Sequence, residues 1–278
     1  MRILSTPATR VAIAFLVGVL GASASHAQQT EPATEPRAAR RVTDTTGTSA
    51  TAGWLGRVSV IVRYDRFQPT GHSEFFTLVD RALSPGAGAL HPQLIAGELR
   101  VGLGARWEFI AGGDAGKSTV ASSSITRPAS ASSDSRQTTS LDLTNTEYLG
   151  ASWLAWRWKN AVPTAPDRIR LHVGGGAGLM SYRLRQVGDF VDVQRDLVFH
   201  DDLRSSGRGR FAYLSAAAEV PLRSWIALDG ELRRRAGSAP MTADYAGFDR
   251  IDLSGYSIGV GMRLRPFATN EQRRAARR

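Results

Sequence analysis

From Trp54 onward the chain alternates apolar and polar residues with a period of two, the pattern of strands that present one face to an apolar phase and the other to a polar one. Over 54–67, Val58, Val60, Val62 and Tyr64 fall on one face and Arg57, Ser59, Arg63 and Asp65 on the other, with Ile61 the one misfit. Over 94–105, Ile95, Leu99, Val101 and Leu103 oppose Glu98, Arg100, Gly102 and Gly104. A third strand over 109–122 opens Phe109-Ile110-Ala111 and turns glycine-rich, and a fourth over 140–159 ends Trp153-Leu154-Ala155-Trp156-Arg157-Trp158. The fifth, 168–187, sets Ile169, Leu171, Val173, Ala177 and Leu179 against Arg168, Arg170, His172 and the glycines at 174, 176 and 178. The sixth to eighth, 209–220, 225–236 and 251–265, repeat the pattern, with Tyr213, Ser215, Glu219, Asp229, Glu231, Arg233, Arg263 and Arg265 on their polar faces.

Eight strands is an even number, and the links between them sort by length. Those at 106–108, 160–167 and 221–224 are short; those at 68–93, 123–139, 188–208 and 237–250 are long. Short turns at one end and long loops at the other are the asymmetry of outer-membrane barrels. Two short links share a similar sequence, Arg106-Trp107-Glu108-Phe109-Ile110-Ala111 and Arg223-Ser224-Trp225-Ile226-Ala227, which predicts one hairpin solution used twice. Within the first long loop, Glu74-Phe75-Phe76-Thr77-Leu78-Val79 reads either as a further strand or as an extension of the first hairpin.

The ends of the chain narrow the picture. Arg2 and Arg10, the apolar run from Val11 to Leu20 and the small residues up to Ala27 form the order of a secretory signal over 1–27, and the run is too short to span a bilayer as a helix. Residues 28–53, with one Val and no aromatic, read as a flexible linker, 54–267 as the barrel, and 268–278 as a basic solvated tail. Removing the signal takes away Arg2 and Arg10 and no acid, so the formal charge falls from +10 to +8. The absence of cysteine excludes disulfides and thiolate metal sites.

Alternation alone does not separate a membrane barrel from a soluble, ligand-binding one, whose apolar face is inside. The signal, the loop asymmetry and aromatic residues at predicted strand ends (Trp54, Tyr64, Trp156, Trp158, Trp225) favour the membrane. The expected fold is then all-β, an eight-stranded antiparallel up-and-down transmembrane β-barrel. Its polar face becomes the lumen, lined by Arg57, Arg63, Glu98, Arg100, Glu147, Arg157, Arg168, Arg170, His172, Glu219, Asp229, Glu231, Arg233, Arg263 and Arg265. Buried charges must pair, and side chains suffice to fill an eight-stranded barrel, so a plugged lumen is predicted. The glycines of the fifth and eighth strands are expected to make room for guanidinium groups or to mark curvature.

The segments Gly56–Val62, Gly97–Gly104, Gly174–Gly178 and Gly259–Phe267 resemble the outer-membrane β-barrel family of the outer-membrane protein A and X type, often described only as porin-family barrels. The resemblance implies residence in the bacterial outer membrane with both termini periplasmic, insertion by the barrel-assembly machinery, contact with outer-membrane lipids and lipopolysaccharide, and a monomer. A structural or surface-interaction role is the expected function, with a narrow small-solute channel or a soluble secreted barrel as alternatives.

Candidate chemistry is sparse, and no enzyme, cofactor, metal or nucleic-acid partner is expected. His172 on the polar face is a possible base; a lumenal histidine hydrogen-bonded into the charge network is the stronger expectation. His72-Ser73-Glu74 has nucleophile and acid-base residue types, but neighbours in sequence do not make a triad. His200-Asp201-Asp202 suits a divalent cation by type and a solvated loop by context. The arginines alternate with apolar residues instead of clustering on a helix, which argues against nucleic acid, while Arg204, Arg208 and Arg210 are suited to lipopolysaccharide phosphates.

Overall fold

A computed structural model describes residues 57–70, 73–124, 136–159, 168–192, 195 and 197–266. The expected signal, linker and basic tail lie outside the described residues, as do Trp54, His72 and Phe267. In chain order the elements are β1 (Val58–Pro69), α1 (Glu74–Ala82), β2 (Leu83–Ser84), β3 (Gln93–Gly102), β4 (Trp107–Ser124), β5 (Arg136–Trp158), β6 (Ile169–Asp192), β7 (Leu197–Pro221), β8 (Ile226–Pro240), β9 (Arg250–Asp252) and β10 (Gly255–Leu264).

All pairings are antiparallel, and around the ring each joins successive ring strands except at the closure. The ring runs β1-β3-β4-β5-β6-β7-β8-β10 and closes when β10 pairs with β1, from Val60 opposite Leu264 to Pro69 opposite Gly255. The fold is therefore an eight-stranded up-and-down β-barrel, as the alternation predicts; β2 and β9 are short side pairings on β4 and β8. Arg57 and Arg265 both hydrogen-bond next to short turns, so the described chain begins and ends at the same rim.

The polarity is inverted relative to a water-soluble barrel. Outward residues include Leu214 (71% exposed), Ile258 (65%) and Ile95 (52%), while Arg63 and Arg100 are buried inside. Trp107, Trp156, Trp158 and Trp225 are exposed at the short-turn rim. Of the expected boundary aromatics, Trp156, Trp158 and Trp225 lie at this rim, whereas Tyr64 faces outward in mid-strand, opposite Val260 and Ile95.

Two of the expected loops are not loops. Residues 188–208 continue the β6–β7 hairpin to Asp192 and Leu197, giving strands of 24 and 25 residues, more than twice the ~10 that cross a bilayer. With β5 at 23 residues they form a wall that rises past the ring on one side. The segment at 74–79 is the start of helix α1 instead of a strand. A short apolar run fits either period; here the helix wins because Ser73 caps it, its Oγ accepting from the Phe76 N–H, and because Phe75, Phe76 and Val79 all reach one buried face. Phe75 meets Tyr245 and Phe248 edge-on. These residues and the inner face of the wall (Leu141, Leu143, Tyr182, Leu184) make one apolar core that closes the long-loop end of the barrel.

Candidate functional site: the charged lumen

Below that apolar core the interior turns ionic. Period-two geometry aims Arg63 and Asp65 of β1, Glu98 and Arg100 of β3, and Asp229, Glu231, Arg233 and Arg235 of β8 inward, and all are buried. Glu98 is the hub: its carboxylate accepts from Arg63 Nη2 (3.1 Å), Arg100 Nε and Nη2 (3.0 and 2.8 Å), Arg233 Nη2 (2.5 Å) and Tyr148 OH (2.8 Å). Glu231 accepts from Arg63 Nη1 (2.8 Å), Arg100 Nη2 (3.0 Å) and Arg233 Nε (2.7 Å). Arg63 also donates to Asp65 at 2.6 Å and lies 3.8 Å from Asp229. The Arg233 guanidinium lies over both the Tyr148 and Tyr213 rings, 4.4 and 4.5 Å from their centroids.

Layers above and below complete the filling. Toward the long-loop end Arg235 forks onto Asp114 between the rings of Phe67 and Phe211. Toward the short turns Arg263 donates to Ser59 (3.0 Å), Glu219 (2.9 Å) and Glu108, and Glu219 also accepts from Arg265 (2.6 Å) and Arg170 (3.1 Å). Seven arginines (63, 100, 170, 233, 235, 263, 265) thus face seven carboxylates (65, 98, 108, 114, 219, 229, 231). The numerical balance and the forked hydrogen bonds are what a charged interior requires to offset desolvation.

Four expected lumen residues stand apart from this network. Glu147 faces outward, because irregular pairing between Leu143 and Asn145 advances β5 by one residue and inverts its faces, turning Tyr148 inward. Arg57, Arg157 and Arg168 are exposed at the short-turn rim. His172 is buried in the lumen, but neither ring nitrogen makes the expected hydrogen bond; Glu108 and Glu219 oxygens lie 3.9 Å away. Conversely, Asp65, Glu108, Asp114 and Arg235 belong to the network and were absent from the expected set. For Arg235 the signal was present, since 229, 231, 233 and 235 share one parity. Glu108 was assigned to a turn, and Asp114 lies in a strand whose glycines blur the alternation.

The glycines serve rings more than guanidiniums. A Cβ on Gly176 would lie 2.8 Å from Tyr213, and one on Gly178 would lie 2.8 Å from Phe211 and from Tyr148 and 2.1 Å from the Glu147 carbonyl. Glycines clear charged side chains in β10, Gly259 beside Asp65 and Gly261 beside Arg63, and in β4, Gly112 beside Glu98. Gly178→Val is therefore expected to cost about 1–3 kcal/mol through overpacking, read as a lower urea midpoint for the refolded barrel; an unchanged midpoint would show that the rings have room to move.

The other chemical candidates resolve into structure. Ser73 is the cap of α1. On the projecting hairpin His200 pairs with Asp189 at 3.1 Å, and hydrogen bonds from Arg185 and Arg204 hold the Asp202 carboxyl well below the usual carboxylate range. Two guanidiniums on that carboxylate oppose a cation there. Among the described residues no three His, Asp or Glu side chains converge as metal ligands would.

No protein-family model matches the chain, and no curated protein matches it. Solved structures similar to it include Neisserial surface protein A, at 11% identity over 75% of this chain and 96% of that one with a TM-score of 0.33. The N-terminal β-barrel domain of Pseudomonas aeruginosa OprF gives 9% over 74% and 96%, TM-score 0.30. The outer membrane protein OprG from Pseudomonas aeruginosa gives 7% over 74% and 94%, TM-score 0.37.

Proposed function

We propose that this chain is a bacterial outer-membrane barrel with a plugged lumen and a structural or surface-interaction role, its projecting β6–β7 hairpin and α1 cap facing outward and both termini in the periplasm. The observation that carries the reading is the inverted polarity: apolar side chains all round the outside and a balanced ionic interior. An exterior of that kind is stable against lipid, and a closed barrel is the only way strands satisfy their backbone there. A soluble ligand-binding barrel needs the opposite arrangement. Insertion by the barrel-assembly machinery and a monomeric state belong to the same proposal.

The test is fractionation with conductance. The protein should enter the outer-membrane fraction, require detergent for release, migrate in a heat-modifiable way on gels, and give no steady current in planar bilayers. Recovery from the periplasm without detergent would sink the membrane assignment, and a steady current would replace the plugged reading with a narrow channel.

Lipopolysaccharide is the proposed lipid partner. Arg183, Arg204, Arg208 and Arg210 point outward on the β6–β7 hairpin, Arg210 level with the outward Leu179 and the others nearer the hairpin tip. Guanidiniums at that height match phosphates at the membrane surface. In vesicles, added lipopolysaccharide should raise the thermal midpoint of the wild type and do so less for Arg183→Ala/Arg208→Ala/Arg210→Ala; equal stabilisation of both would rule these arginines out.

A further inference from the structure

The ionic filling stops short of the short-turn rim. Beyond the Arg263–Glu219 layer lies a pocket of about 160 Å³, walled by Val58, Gly102, Trp107 and Leu154 and open at the rim. Six guanidiniums line it, those of Arg57, Arg106, Arg157, Arg170, Arg263 and Arg265, against two carboxylates, Glu108 and Glu219. Six less two leaves a formal surplus of four positive charges in a concave mouth. Both carboxylates are already occupied: Glu219 by three arginines, Glu108 by Arg263. Arg57, Arg106 and Arg157 remain exposed at the opening, Arg157 with one bond to the Ala105 carbonyl and Arg106 lying 6.0 Å over the Trp153 ring. On the wall His172 is only 5% exposed, and neither of its ring nitrogens has a hydrogen-bond partner within the protein.

We infer that this mouth binds a small oxyanion of the phosphate class. A concave site with low-dielectric walls and one sign of surplus charge focuses potential toward its opening, here positive. Guanidinium forks match the geometry of phosphate oxygens better than point charges do. A metal ion is repelled by the surplus, and an apolar ligand gains nothing from arginines. The volume is roughly that of five waters at ~30 Å³ each, enough for one tetrahedral oxyanion with bridging water. His172 supplies what the arginines lack: a buried imidazole on the pocket wall, 3.9 Å from the arginine-held carboxylates Glu108 and Glu219, whose unpartnered N–H a phosphate oxygen reaching past the rim would engage. The site needs only the barrel; that it opens to the periplasm rests on the orientation proposed above.

The same chemistry is offered by free phosphate and by a phospholipid headgroup, and two arms separate them. The full-length protein, folded in uncharged detergent and checked by heat-modifiable migration, is titrated with inorganic phosphate while the His172 ring resonances are followed by NMR, assigned by their loss in His172→Gln. In the second arm it is placed in phosphatidylcholine bicelles with or without phosphatidylglycerol. A saturable shift of His172 with inorganic phosphate, weakened at least tenfold in Arg57→Ala/Arg157→Ala, is expected and identifies a soluble ligand. A shift seen only with phosphatidylglycerol supports the same site with a lipid headgroup as its ligand. No movement of His172 in either arm, or equal affinity in the double variant, overturns the inference. Because both exchanged arginines are exposed, the variant should keep its gel migration; loss of that migration in the wild type would instead count against the barrel reading itself.

Discussion

Glu98→Leu should destabilise the barrel by about 3–5 kcal/mol, because it removes a buried carboxylate that three arginines share and leaves their positive charge under-compensated. Arg63, Arg100 and Arg233 all donate to that carboxylate, as does Tyr148. Glu231 continues to accept from the three arginines and Asp65 from Arg63, but the buried cluster has then lost the carboxylate that all three share. Urea unfolding in lipid vesicles, followed by tryptophan fluorescence and gel migration, measures the loss. The comparison that gives it meaning is Asp114→Leu against Asp114→Leu/Arg235→Met. Arg235 and Asp114 form a pair one layer up, flanked by Phe67 and Phe211. Removing one partner leaves a buried charge, whereas replacing both by apolar groups of similar size should recover most of the stability. If the double variant is as unstable as the single one, the layer's worth lies in shape and not in charge pairing.

How far the sequence carried the fold depended on whether local pattern or long-range packing decided each element. Ring strands obey a period of two that the residues display, so strand number, antiparallel order and most of the inward arginines were legible, while Arg57, Arg157 and Arg168 at the strand ends were not. Irregularity broke the reading at one place: the extra residue near Thr144 inverts β5, so Glu147 goes out and Tyr148 goes in, and no single residue there announces it. Glycine hid Asp114, since residues without side chains carry no alternation. The length of the β6–β7 hairpin was missed for a different reason. Beyond Arg185 its residues mix polar, charged and apolar without a strict period, and the pairing of Phe190 with Phe199, stacked at 5.8 Å, becomes visible only once the strands are set side by side. Helix α1 shows the same limit, because Phe75, Phe76 and Val79 find their buried face only when the wall and Tyr245 are in place. For the site, residue types were legible and partners were not: Arg263 and Glu108 are 155 positions apart.

The second large effect concerns what keeps the lumen shut. Two seals lie in series, the apolar core under α1 and the ionic layers beneath it, and Phe75→Ala/Phe76→Ala attacks only the first. Truncating a buried phenylalanine costs about 3–5 kcal/mol when its cavity cannot collapse. Here the loss should be felt locally, because α1 itself joins the ring through side-chain packing, and only the two-residue β2 pairing on β4 at its C-terminal end ties it to the strand ladder. The α1 amides should therefore exchange with solvent at least about a hundredfold faster, the equivalent of ~2.8 kcal/mol, while amides of β1, β3, β8 and β10 keep their protection. Planar-bilayer recordings of the same variant should still show no steady current, since Glu98, Glu231 and their arginines fill the cross-section below. A steady current in this variant would mean that the helix is the gate and the ionic layers leak. Conductance that appears only when Glu98→Leu is added would assign the seal to the charges, and with it the reason for keeping so many of them where apolar residues would fold more cheaply.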